Sequence, residues 1–168
     1  MLTTPFAPPM SDADAATARV RSAASDLGLD IEIRERPEAG SLDEAARLLG
    51  IEPRNIVKTL VVKRSDDTYL FALIPGDRQI AWAKLRAIVG VNKLQLPDPE
   101  RALAATGYER GTIVPLGSST AWPVYADETI AGRVALGAGA HGYSLFVDAH
   151  ALFHALGATV ADISQPIG

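Results

Sequence analysis

The residue best placed to do chemistry is Lys58, set in the apolar and β-branched run 55–63, NIVKTLVVK. If that run is a strand, Ile56, Lys58, Leu60 and Val62 share one face, and three of those four favour burial. An ammonium on such a face costs stability unless it meets an anion, so a phosphate or carboxylate partner is one reading. A lysine snorkelling past apolar neighbours near a sheet edge is the other, and the pattern leaves both open. Thr59 beside it is a candidate for orienting a water or an α-amino group, or is simply a good β-former.

Two side-chain-poor bends give the second signal. Gly111-Thr112-Ile113-Val114-Pro115 runs from a glycine to a proline of fixed φ, and Gly137-Ala138-Gly139-Ala140-His141-Gly142 carries nothing longer than a methyl before His141. Such loops bare their N–H groups and let a polar ligand approach the backbone closely. Tight hairpin turns that use glycine for geometry alone have the same composition. Asp127 is a candidate ligand-orienting carboxylate, or the cap of a short helical turn over Asp127-Glu128-Thr129. Ser118, Ser119 and Thr120 follow the first bend, but no base is placed near them, so they read as a turn. Trp82 reads as core, whereas Trp122, beside the bend, can fill core or stack on a nucleobase.

Composition narrows the chemistry. The 168 residues contain no cysteine, which removes disulfides, thiolate metal sites and cysteine nucleophiles. His150 and His154 stand four apart, but the third ligand and the internal acid of a metal motif are missing, so no metal and no cofactor are expected. A net charge of −4 argues against an extended nucleic-acid surface, yet leaves room for a pocket that admits one strand end. No apolar run approaches the ~20 residues of a membrane span, and the N-terminus has no leader pattern, so a cytoplasmic protein without membrane contact is expected.

These residues must be held by a mixture of helices and strands. Residues 1–10, with three prolines, read as a flexible arm before a domain over 11–168. Helices are expected from Ser11 to Leu27, from the capping box at Ser41-Leu42-Asp43-Glu44 to Gly50, over Ile80–Val89, over Asp98–Thr106 and from Asp148 to Leu156. Strands are expected at Ile31–Arg36, in a hairpin of 55–63 with Tyr69–Ile74, at Lys93–Leu96, Trp122–Ala126, Arg133–Leu136 and Tyr143–Val147, and last at Thr159–Ile163. Without a regular strand–helix alternation, the order points to one α+β domain. Its sheet is expected to be mixed and largely antiparallel, curled or closed into a β-barrel and flanked by helices.

The combination of Lys58-Thr59-Leu60 in an apolar strand, the G-x-x-x-P bend from Gly111 to Pro115 after Gly107-Tyr108, the Asp127-Glu128 pair and the Gly137–Gly142 turn resembles the YbaK/EbsC family of aminoacyl-tRNA deacylases, relatives of the editing domain inserted in bacterial prolyl-tRNA synthetases. The likeness runs from about Ser41 to the C-terminus. It implies a compact mixed barrel that hydrolyses the ester between a mischarged amino acid and the terminal adenosine of tRNA. The partner would be the 3′ end of an aminoacyl-tRNA, with an aminoacyl-tRNA synthetase as a second candidate. It also implies that the lysine at 58 is the principal functional side chain and that both bends shape the pocket. The chain departs from the family's habit at Gly137, where a polar residue is frequent, and at Ala140 and His141, where a basic one is. Scattered bases such as Arg54, Lys63, Arg78 and Lys84 are expected to help hold the strand end. A non-catalytic module that binds a nucleotide or a tRNA end in the same pocket is the alternative.

Overall fold

Local capping signals fix most of the helix boundaries. The computed structural model describes residues 11–167, and the arm expected at 1–10 lies outside the described residues. Ser11 opens α1 (Asp12–Asp26), its hydroxyl accepting from the Asp14 N–H. After β1 (Glu32–Glu35), α2 (Leu42–Leu49) starts where the Ser41 hydroxyl accepts from the Glu44 N–H and stops at Gly50 in the left-handed region. The Glu44 carboxylate accepts from the Gly40 N–H, one residue before the cap itself.

The hairpin forms as expected, with β2 (Val57–Arg64) antiparallel to β3 (Tyr69–Pro75), Lys58 opposite Ile74 and Thr59 opposite Leu73. Ile80, expected to begin a helix, instead ends strand β4 (Arg78–Ile80), and α3 runs from Trp82 to Val89. The reason is long-range: Arg78–Ile80 pair antiparallel with Ser164–Pro166 at the far end of the chain. Next come β5 (Leu94–Gln95), α4 (Pro99–Thr106) and β6 (Val124–Asp127). Asp127 closes β6, and the residues after it form a turn rather than a helical turn. The hairpin of β7 (Arg133–Gly137) with β8 (Tyr143–Asp148) leads into α5 (Ala149–Leu156), capped by Asp148. The last expected strand divides into β9 (Thr159–Ala161) and β10 (Ser164–Pro166).

Among the described residues these strands make three sheets, ordered β5-β2-β3-β6-β9, β1-β8-β7 and β10-β4. Only β3–β6 and β6–β9 are parallel within them, and the sheets do not close into a barrel, so the molecule is α+β with open, mixed sheets. The β2–β3 hairpin separates two cores. Val57, Val61, Phe71 and Leu73 point to one, with Tyr108, Val114 and Leu136. Val62, Leu70, Ala72 and Ile74 point to the other, against Ile80, Leu85 and Ile163. With each such side chain removed from water contributing about 1.5–3 kcal/mol, the hairpin buried on both faces is the rigid element of the fold. No helix among the described residues is long and apolar enough to cross a membrane.

Candidate active site at an open strand edge

The site begins with a gap in the sheet. Phe71 sends its N–H outward to the Pro123 carbonyl, so Val61 opposite it is a non-hydrogen-bonded pair, and the odd-numbered residues of β2 direct their N–H and C=O groups away from β3. On that outer edge β5 pairs only with Lys63 and Arg64, and at the other end Ile56 bridges to Ala135 of β7. Among the described residues, Thr59 and Val61 therefore present N–H and C=O groups that have no ladder partner. The Thr59 hydroxyl is also buried without a hydrogen-bond partner.

A cavity of about 590 Å³ lies along this edge. Leu42, Ala45 and Leu49 of α2 form one apolar wall, and Leu96, Pro97 and Ala102 another. Lys58, Thr59, Gly111, Ile113 and Gly137 all line it. The charged side chains among its lining are Arg36, Lys58 and Arg110, with no carboxylate among the described residues.

Lys58 is half-buried and leaves β2 on the face opposite Thr59, where Leu60 and Val62 pack into the second core. Its ammonium donates to the Arg78 carbonyl of β4. Desolvation lowers its pKa below the ordinary lysine value, against the pull of the Asp77 carboxylate. From the sequence the lysine and both bends are expected to shape one pocket; residue 58 lines the cavity together with Gly111 and Gly137, but its amine is held at the Arg78 carbonyl, on the face of β2 opposite Thr59.

The two bends meet each other. Gly139 donates its N–H to the Thr112 carbonyl at 2.9 Å, and a Cβ on Gly137 would stand 2.7 Å from the Thr112 and Ile113 carbonyl oxygens. No larger residue fits Gly137 without parting the bends, which gives a physical reason for the departure noted there. Other residues of the bends serve the fold. The Thr112 hydroxyl donates to the Glu109 carbonyl, Val114 lies in the core, and Pro115 lines a separate pocket of about 250 Å³ with Trp122. Gly139 sits against Tyr108, where a Cβ would come within 2.9 Å of the ring. Gly142 accepts the Arg36 N–H. His141 is exposed and faces Glu109 at 3.2 Å.

Asp127 does not line the cavity. It is fully buried and accepts from the Thr129 N–H, the Thr129 hydroxyl and the Ile163 N–H. Burial pushes its pKa up, but the hydrogen bonds from Thr129, Ser164 and Ile163 outweigh it and leave the carboxyl below the usual range. Ser164 also accepts from the Arg78 guanidinium, so Asp127 braces the strand whose carbonyl holds Lys58. The four scattered bases are engaged elsewhere. Arg54 pairs with Glu52, Lys63 with Asp67, Lys84 with Asp162, and the Arg78 guanidinium bonds Ser164. None of the four lines the cavity. Besides Lys58, the bases that do are Arg36 and Arg110, and both were missed. Arg110 could have been found as the neighbour of Gly111. Arg36 could not, because only the β1–β8 pairing brings it to Ser144, whose hydroxyl accepts from its Nε at 3.0 Å. Trp122 donates its indole N–H to the Ala105 carbonyl and packs edge-on against Tyr69, which gives it a structural role.

Comparisons with known proteins point to one family. The profile of the aminoacyl-tRNA editing domain matches residues 36–154. The proline–tRNA ligase of Shouchella clausii is 36% identical over 115 residues, which is 67% of this chain and 20% of the ligase. That of Thermosipho melanesiensis is 35% identical over 99 residues, 59% of this chain and 17% of the ligase. The chain thus spans about a fifth of the length of these relatives. Among solved structures, a candidate trans-editing enzyme for prolyl tRNA synthetase superposes with a TM-score of 0.82 at 27% identity, covering 89% of this chain and 97% of that one. The hypothetical protein APE2540 gives 0.82 at 26% identity, covering 88% and 99%. This chain belongs to the aminoacyl-tRNA editing domain family.

Proposed function

We propose that this chain hydrolyses the ester of misacylated tRNA in trans, clearing a wrong amino acid from the terminal adenosine in the cytoplasm. The observation that carries the reading is the cavity, where a lysine, two glycine bends and an unpaired strand edge border one volume whose charged lining side chains are all cations. An aminoacyl ester is already activated. Water attacks the carbonyl carbon, the bond from that carbon to the ribose oxygen breaks, and the amino acid leaves as the tRNA hydroxyl is restored. Such a reaction needs a held geometry and a stabilised oxyanion rather than an enzyme nucleophile, which suits a chain without cysteine.

The donors for that oxyanion are best sought on the strand. The N–H groups of Thr112 and Gly139 are already engaged, by the Glu109 and Thr112 carbonyls. Those of Thr59 and Val61 face the cavity without ladder partners, and a preorganised donor of this kind contributes about 3 kcal/mol to the transition state. Lys58, on a flexible four-carbon stem, reaches the substrate by leaving the Arg78 carbonyl. Its desolvated ammonium gains from any anion or polarised carbonyl that enters.

The test is a panel of mischarged tRNAs, headed by tRNA for proline because the relatives are proline–tRNA ligases. Wild type should release amino acid from at least one member, and Lys58→Ala should abolish that release while the fold persists. A wild type that binds tRNA but hydrolyses none of the panel would leave only the binding-module reading.

A further inference from the structure

The cavity wall carries a feature that ester hydrolysis alone does not use. Arg36, just past the end of β1, and Arg110, immediately before Gly111, line it from two different parts of the chain. Arg36 is partly buried and fixed in place, with Nε donating to the buried Ser144 hydroxyl at 3.0 Å and Nη1 to the Pro37 carbonyl at 2.9 Å. Both acceptors are neutral, and neither arginine forms an ion pair with a carboxylate among the described residues. By contrast Arg34, Arg54 and Arg133 each have one, and Arg101 has two. In a chain with four more acidic than basic residues, a cavity with two unneutralised guanidinium groups and no acid on its wall is a local positive field in a negative molecule. Guanidinium presents a planar fork of donors suited to phosphate, and the donors of Arg36 that Ser144 and Pro37 leave free remain available.

We propose that Arg36 and Arg110 form a clamp for one phosphodiester, the group joining the terminal adenosine of the RNA to the nucleotide before it. The proposal rests on the deacylase reading, and assigns the part of the substrate that enters last. The acylated ribose lies along the β2 edge, while the phosphate stays at the arginines. Because Ser144 and Pro37 orient Arg36 before substrate arrives, little side-chain entropy is lost on binding. The clamp reads one phosphate and no base, so it sets the depth at which the ester stops rather than which tRNA is taken.

Two synthetic substrates separate the phosphate from the ester: an aminoacyl ester of adenosine, and the same ester on a cytidylyl-adenosine dinucleotide, which adds one phosphodiester. Wild type should favour the dinucleotide in kcat/KM by about tenfold or more, as expected for a charge-assisted contact. In Arg36→Gln and Arg110→Ala that preference should fall toward one, with thermal melting checked for each. Arg110 is exposed and makes no side-chain hydrogen bond among the described residues, so its variant remains informative even if loss of the Arg36–Ser144 bond loosens the fold. Equal wild-type rates on the two substrates would overturn the clamp. So would variants that lower both rates by the same factor, which marks a structural role. If wild type cleaves neither these substrates nor any aminoacyl-tRNA, it is the deacylase reading that fails, and the clamp with it.

Discussion

Replacing Gly137 by alanine tests how tightly the two bends must meet. A Cβ there would stand 2.7 Å from two backbone carbonyl oxygens and 2.8 Å from the Thr112 carbonyl carbon, where ordinary contact begins at 3.4 Å. Relief requires the bends to part by about 0.7 Å at that point, a shift that backbone atoms make only together. The Thr112 carbonyl cannot turn aside freely, because it accepts the Gly139 N–H. Overpacking of this kind costs about 1–3 kcal/mol, which in a domain of this size lowers Tm by about 3–10 °C. A displacement approaching 1 Å beside the reacting ester also lowers kcat/KM by about 100-fold. Gly132→Ala is the control. Gly132 has φ of 74° but open space where its Cβ would go, and it does not line the cavity, so left-handed strain of about 1–2 kcal/mol should lower Tm with little change in deacylation. Differential scanning calorimetry and deacylation rates for the pair decide the matter. A Gly137→Ala protein with wild-type melting and wild-type turnover would refute the close meeting of the bends.

Lys58→Met should lose at least about 100-fold in kcat/KM yet change folding stability by no more than about 1 kcal/mol, because one hydrogen bond is exchanged for relief of a desolvated charge; chemical denaturation measures the second quantity. The folded pKa of Lys58 is depressed, so between that value and 10.5 the unfolded chain binds more protons and this residue makes stability rise with pH; the Lys58→Met variant should lack that rise in unfolding titrations. Asp127→Asn should destabilise by about 2 kcal/mol, since an amide cannot accept all the donors that the carboxylate accepts. With its pKa held down in the fold, the stability Asp127 contributes is present above the ordinary value of 3.8 and is lost as pH falls through the folded pKa, so the Asp127→Asn variant should show a flatter acid limb in the unfolding profile. Salt should weaken tRNA binding only gently, because one clamped phosphate releases few counterions; a log–log slope near that of a protein with about six or more phosphate contacts would contradict this.

What was legible in the sequence is what neighbours in the chain decide. Ser11, Ser41, Asp98 and Asp148 open their helices by bonding N–H groups three residues on, and each interaction is local. The β2–β3 hairpin is local as well. Strand β4 was hidden, because Arg78–Ile80 become a strand only through pairing with β10, some eighty residues away. For the site, the intruding lysine and the bends were visible as residues of unusual type in their setting. Arg36 was not, since an arginine closing an alternating strand looks like any solvated base until β8 brings Ser144 beneath it. Asp127 misled in the opposite sense. A carboxylate beside a turn resembles a site residue, yet its burial and its hydrogen bonds to Thr129 and Ile163 make it a brace for the last strands.

The most direct test of the central claim is single-turnover deacylation of mischarged tRNA for proline by wild type and Lys58→Met, with both proteins shown to be folded. The expected result is rapid release of the amino acid by wild type and release near the uncatalysed rate by the variant. Equal release by the two proteins would show that the lysine bordering the β2 edge takes no part, and that this cavity is not where the ester is broken.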